Sequence, residues 1–436
     1  MDDFSQLISK EAKKKISFIK KYINKFTHSK RLKKIKRNLK TKIKHPKEKK
    51  FETKDKKINN QIEINNNQKI NKKRNAGIDL LRIVTMIGII YSHVIQQGKG
   101  LDKYNRYRDK INYVYTYFFF HNNAFALISG VIGYKSSKYS NLLYLWLIVV
   151  FYSVGIYYYY LKYKKGSYLN VELYKEYYPV IYGRYWYFTS YFGMYLFLPA
   201  INKGIQYLNK PEYKALVMSI FGIFIVWKSY MNNKDDHFKM NGGMSTLWLL
   251  ALFITGGYIG KFNVVYTGIK RYIFSLIYLF IFLFSCYMHN KYSNYTIIEY
   301  STNYKIKLRN FIKRMSSDQI ICVIKYTQAI SLALFFLQLK YNYYLSKLIT
   351  FFGPLTFAVY LIHINSNVSH NYLSRLFYGE SYDLTVNEVI QMFLFKSVKI
   401  FVVCIIIDYL RHLLFTILRI RKICVFLEKI FFKIIS

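Results

Sequence analysis

Acid is scarce in this chain: 22 Asp and Glu stand against 66 Lys and Arg, a formal net charge of +44. An excess of that size suggests nucleic acid, but its distribution argues otherwise. The first 76 residues hold 26 of the cations and only 7 acids, directly before the first long apolar stretch. No stacking aromatics or recognised nucleic-acid module accompany these lysines, so no nucleic-acid partner is expected. A polybasic segment beside a membrane helix is drawn to anionic lipid at about 1 kcal/mol per charge, and it holds the N-terminus on the cytoplasmic side.

Cysteine is scarce too. Cys286, Cys322, Cys404 and Cys424 are scattered, which implies neither a disulfide framework nor a metal site. The N-terminus lacks the apolar core followed by small residues that a cleavable signal peptide needs. Nor is there an internal inverted repeat of the kind that marks many transporters.

Apolar residues are abundant, 53% of 436, with 46 Tyr and 35 Phe. They come in blocks of about twenty between short polar loops, the pattern of an all-α polytopic membrane protein. Ten spans are expected, near 77–97, 113–134, 141–161, 185–199, 213–231, 245–261, 271–289, 319–339, 346–366 and 389–410, the last extending to Leu418. Residues 1–76 read as a basic tail, with an interfacial helix suggested by Ile16, Ile19 and Ile23 and a disordered Asn/Gln/Lys connector after it. Residues 77–418 form the membrane domain, and 419–436 a basic amphipathic tail. Both termini are expected in the cytoplasm, with the protein in the plasma or inner membrane.

The first span carries an acid, a base and an imidazole: Asp79, Arg82 and His93. An ionisable group in a membrane helix costs several kcal/mol unless it is paired or faces a cavity. At about 100° per residue Arg82 lies roughly 60° from Asp79, and His93 about 20° from Arg82, so all three share one face. Arg82 and His93 stand about 16 Å apart along the axis. The pattern predicts a polar stripe running into the membrane, with Asp79 paired to Arg82.

Other polar groups recur inside apolar stretches. His121-Asn122-Asn123 point three ways around the second span, so at least one faces protein or water. Ser129-Gly130 reads as a small pair for close helix packing rather than as a nucleophile. Trp186, Tyr187 and Phe188 fit an aromatic belt at the membrane edge. Arg184, just before them, reads equally as an edge anchor or a site residue. Thr356, Tyr360 and His363 share a helix face that should turn to the bundle interior. Asp408, Arg411 and His412 have the spacing of a local structural ion pair.

Taken together these stretches resemble the acyltransferase 3 family of integral membrane acyltransferases. Gly77-Ile78-Asp79-Leu80-Leu81-Arg82 with Ser92-His93 is similar to the family's opening helix, and Phe125 to Gly130 to its Phe-rich Ser-Gly segment. Trp186 to Pro199 resembles its Trp-Phe-x-x-x-Tyr span, and Thr356 to His363 its Ser/Thr-Phe-x-x-Tyr-Leu-x-His element. The resemblance implies acyl-CoA, usually acetyl-CoA, as co-substrate with no cofactor permanently bound. It also implies O-acyl transfer to a hydroxyl of a cell-surface glycan or glycolipid, with Arg82 and His93 at the positions of the family's essential arginine and histidine. One departure stands out. Where many bacterial members carry Arg-x-x-Arg after the Ser-Gly segment, this chain has Lys135 and Lys138. A lysine holds phosphate as a point charge and lacks the bidentate fork of arginine.

The expected mechanism is a funnel open to the cytoplasm. Lys135, Lys138 and Arg184 would hold the CoA nucleotide, and His93 would act as general base or transient acyl acceptor. His121, Asn122, Ser129, Trp186, Tyr360 and His363 would line the substrate path. The runner-up is a transporter or flippase of a polysaccharide or glycolipid precursor, which helices broken at midplane would favour.

Overall fold

Asn75 turns the chain into its first long helix. Its side-chain carbonyl accepts from the Ile78 amide at 3.3 Å, satisfying one of the donors that a helix start leaves open. Helix α1 then runs Ala76–Gln96. The structure, a computed structural model, describes residues 74–135, 137–163, 172–227, 238–293 and 317–435. The expected interfacial helix and connector before Arg74, and most of the polar stretch 289–318, lie outside the described residues.

Leaving aside the short helices Gly100–Lys103, Leu173–Tyr177 and Ser366–Asn371, the helices that follow are α2 Arg108–Thr116, α3 His121–Gly133, α4 Tyr139–Tyr163, α5 Trp186–Tyr207 and α6 Lys210–Ile220. Then come α7 Thr246–Phe262, α8 Gly268–Ser293, α9 Ser317–Gln338, α10 Tyr343–Phe352 and α11 Thr356–His363. The last two are α12 Val386–Ile417 and α13 Ile420–Ile435. Among the described residues, five elements are long and apolar enough to cross a bilayer: α1, α4, Gly268–Lys291, Tyr343–His363 and α12. Thr246–Phe262 and Cys322–Gln338 are shorter apolar helices. No strand occurs among the described residues. The chain is an all-α polytopic membrane protein.

Helix occupies each of the ten expected stretches, but several differ from a plain span. The second breaks between α2 and α3, at the aromatic run Tyr117–Phe120. Those rings go to separate neighbours: Phe118 onto Gly88 and Tyr91, Phe119 onto His289, Phe120 onto Phe282. The fourth, expected to stop at Pro199, continues to Tyr207. A proline removes one helical bond, but the turns beyond it are held from outside. Asn202 donates to Gly133 O at 2.9 Å and Ser137 Oγ at 2.6 Å, and Lys261 Nζ donates to the carbonyls of Ile205, Gln206 and Leu208 at 2.9, 2.8 and 2.6 Å. The fifth passes from α6 into a wider π-helical turn at Phe221–Trp227. The ninth is two helices joined by the tight turn Gly353–Leu355, where Pro354 cannot continue the helical ladder.

Packing follows composition. Helices α3 and α7 touch backbone to backbone: a methyl group on Gly130 would lie 2.0 Å from Phe253 O, and one on Gly256 2.1 Å from Leu127 O. The close-packing reading of Ser129-Gly130 therefore holds for Gly130. On α12, Arg411 grips Asp408 through Nε at 2.8 Å and Nη2 at 2.9 Å, and Tyr152 of α4 donates to the same carboxylate at 2.8 Å. Asp408 and Arg411 pair as their spacing suggested, whereas His412, expected with them, is exposed.

Candidate active site

Asp79 is the anchor of the site. It is 1% exposed and occupies the first turn of α1, where the helix dipole favours a carboxylate. Its Oδ1 accepts from Arg82 Nη1 at 2.6 Å and from Arg74 Nη2 at 2.8 Å, and Arg74 Nε also donates to Oδ2. The expected Asp79–Arg82 pair is present, and Arg74 joins it as a second guanidinium. Gly353 closes the other side, since a Cβ there would fall 2.6 Å from Asp79 Cγ. The turn that breaks the ninth span is thus what lets backbone approach the carboxylate.

Two guanidiniums around one carboxylate leave a net positive charge. Both line a cavity of about 320 Å³, whose walls also include Asn122, Ser129, Tyr191 and Tyr360. A void of that size can seat a small organic group. On α1 the wall continues from Arg82 through Met86 and Ile89, the same stripe that reaches His93 one turn further on. His93 itself is not in that wall. It is only partly buried, and its ring centroid lies 5.3 Å from that of His363. The His363 ring in turn is 6.5 Å from Tyr360, which does line the cavity. Tyr360 and Ile89 therefore stand between the cavity and the imidazole pair.

The chemistry of the pair is partly fixed by hydrogen bonding. His363 Nδ1 lies 2.5 Å from Val359 O. A carbonyl oxygen can only accept, so Nδ1 carries the proton and Nε2 keeps its lone pair. His363 Nε2, His93 Nδ1 and the Tyr360 hydroxyl are buried and make no hydrogen bond among the described residues. Buried polar atoms are nearly always partnered, so a group of three without partners marks a place where something else binds or reacts.

The remaining expected site residues fall in different places. Asn122 and Ser129 line the cavity, with Ser129 Oγ donating to Phe125 O at 2.8 Å. His121 is buried within electrostatic reach of His93. Trp186 begins α5 but lies outside the cavity wall, which Tyr187 and Tyr191 occupy instead. Lys135 and Lys138 sit on the α3–α4 connection. Tyr195 of α5, one turn beyond cavity-lining Tyr191, donates to Lys138 O at 3.2 Å, so this loop lies just past the Arg82 end of the cavity. Arg184 is elsewhere. It donates to Glu176 Oε1 at 2.6 Å and to Ser366 Oγ at 2.7 Å, three residues beyond His363. Glu176 is fully buried and also accepts from Ser153 Oγ. The structure does not bring Arg184 together with Lys135 and Lys138.

Sequence reasoning missed Arg74, Tyr187 and Tyr191. Arg74 is one cation among 26 in the first 76 residues. The only available hint was its distance of five residues from Asp79 across the Asn75 cap. The two tyrosines share a helix face by their i, i+4 spacing, a signal masked by the aromatic-belt reading of the same run.

A family model described as an acyltransferase domain, that of the acyltransferase 3 family, matches residues 75–409. No curated protein and no solved structure matches the chain significantly. The match takes in Asp79, Arg82, both imidazoles and every cavity-lining residue except Arg74, and it favours acyl transfer over the transporter reading despite the breaks in the second and ninth spans. The chain belongs to the acyltransferase 3 family and is a membrane acyltransferase.

Proposed function

We propose that this protein moves an acyl group, acetyl being the expected one, from acyl-CoA to a hydroxyl of a cell-surface glycan or glycolipid. It works in the plasma or inner membrane with its Arg82 end and both termini toward the cytoplasm. The observation that carries the reading is a cavity lined by two guanidiniums and by the partnerless Tyr360 phenol, with the His363–His93 pair behind that phenol. Phosphate is well matched to arginine, and Arg74 and Arg82 retain N–H donors beyond those given to Asp79. Lys135 and Lys138 add point charges beyond the cavity mouth. The pantetheine arm then lies along Met86 and Ile89, which offer it an apolar wall.

His93 takes the proton of the acceptor hydroxyl as its oxygen attacks the thioester carbonyl. The Tyr360 hydroxyl donates to the oxygen that becomes negative in the tetrahedral intermediate. Collapse breaks the C–S bond, the ester remains on the acceptor, and the CoA thiolate takes its proton from His93. Nε2 of His363 accepts a hydrogen bond from a second acceptor hydroxyl and so positions it. Small movements of Ile89 and Tyr360 join the cavity to the imidazoles during transfer.

The test is purified protein in vesicles with carboxyl-labelled acetyl-CoA and a glycan acceptor. Release of CoA thiol together with label on the glycan supports the reading. Cleavage no faster than with an Arg82→Leu protein overturns it.

A further inference from the structure

A second cavity, of about 590 Å³, lies on the other side of His363 between α4 and α12. The reaction described above makes no use of it. On α4 its outer wall is Phe151, Gly155 and Tyr159, spaced i, i+4 and i+8 on one stripe about 12 Å long, and its inner wall is Tyr152, Ile156 and Tyr160. On α12 Val403 and Ile407 face outward and Ile400 and Cys404 inward. Phe151, Tyr159, Val403 and Ile407 are all exposed. In membrane-crossing helices such a face meets lipid, so the cavity is continuous with the lipid-facing surface of the bundle.

Gly155 makes the opening. No atom of the described residues lies within 4 Å of the position its Cβ would take, so the stripe has a notch between two large rings. No charged side chain lines the cavity, which suits a hydrocarbon chain and not a phosphate. Its polar end is His363, 1% exposed, with Nε2 carrying a lone pair and no partner among the described residues. An apolar slot that opens to lipid and ends on an imidazole fits an amphiphile with a hydroxyl-bearing head.

We propose that this slot seats the hydrocarbon chain of a lipid-anchored acceptor and presents its head hydroxyls to His363. The assignment rests on the acyl-transfer reading above and narrows its acceptor to a chain-bearing one. The test uses the full chain in vesicles of phosphatidylethanolamine and phosphatidylglycerol, with part of the latter carrying a diazirine near the end of one acyl chain. After irradiation, label on residues 400–407 is compared with label on the exposed face of α8 around Ile269, Leu276 and Phe280. The expected result is severalfold enrichment at 400–407, lowered by dodecyl β-glucoside and untouched by methyl β-glucoside. Gly155→Phe puts a ring into the notch, where its Cβ meets no neighbouring side chain, and should abolish the enrichment while leaving the α8 label unchanged. Ile407→Trp should do the same from the facing helix. Equal labelling of the two faces, or enrichment that survives both substitutions, overturns the site. No acyl donor enters this readout, so it stands apart from the transfer chemistry. Labelling as expected with no acetyl transfer from acetyl-CoA to dodecyl β-glucoside overturns the assignment of the chain to the acceptor.

Discussion

At one end of α1 every buried charge is answered: Asp79 accepts from both Arg74 and Arg82, and Gly353 leaves no room for water between carboxylate and backbone. About four turns along the same helix, neutral groups that could easily be partnered are not. His93 Nδ1, His363 Nε2 and the Tyr360 hydroxyl stand within one cluster with nothing among the described residues to bond. The two ends obey different rules. Leaving a charge alone in a membrane interior costs too much to persist. An unpaired neutral donor or acceptor costs about 1–3 kcal/mol, an amount a fold can carry where the atom is wanted for a ligand or a proton. The fully paired Asp408–Arg411–Tyr152 group shows what a purely structural cluster in this bundle looks like.

The largest way to break this contrast is at Asp79. Asp79→Asn leaves two guanidiniums facing each other and should destabilise the fold by about 2–3 kcal/mol, since both still reach solvent, seen as a fall in melting temperature in detergent. If stability is unchanged, the Arg82 end is not held by charge pairing. His363→Ala probes the opposite end. It should lower melting less than Asp79→Asn, because the lost ring packs against His93 and Tyr360 but hydrogen-bonds only its own helix, yet raise the acceptor KM about tenfold, corresponding to one lost hydrogen bond of about 1.4 kcal/mol. An unchanged acceptor KM would remove His363 from the acceptor's path.

How much of this was legible beforehand differs between the two ends. The Arg82–His93 stripe could be read because helical spacing alone puts residues eleven apart on one face, and the Thr356–Tyr360–His363 face followed in the same way. That those two faces meet is a tertiary fact, created by the Gly353–Leu355 turn, and periodicity carries no information about it. Arg74 was hidden by composition, and the break at Tyr117–Phe120 by hydrophobicity, since four aromatics in a row look like continuous span. Arg184 shows a different limit. Its partner Glu176 lies in a Tyr- and Lys-rich stretch with no repeating pattern, on the short helix Leu173–Tyr177, and only the folded chain reveals that the guanidinium is already committed.

Smaller effects sharpen the same comparison. Replacing Lys135 and Lys138 together by Gln should raise the KM for acetyl-CoA severalfold, with kcat preserved and the effect fading at high salt, as for exposed charges. An unchanged KM refutes their place at the cavity mouth. Ser129→Ala should change kcat by no more than about twofold, because Ser129 Oγ already donates to its own helix and such internal bonds contribute about 1 kcal/mol or less. A loss of several orders of magnitude would instead make Ser129 the nucleophile.

The central claim is that the imidazole of His93 handles the proton in acyl transfer. The direct measurement is the rate of CoA thiol release and acceptor labelling by purified His93→Ala protein, with folding verified by its melting curve. The account predicts a fall in kcat of about 100- to 10,000-fold, the usual worth of a general base, with the KM for acetyl-CoA little changed. A folded His93→Ala protein that transfers acetyl at the wild-type rate would contradict it.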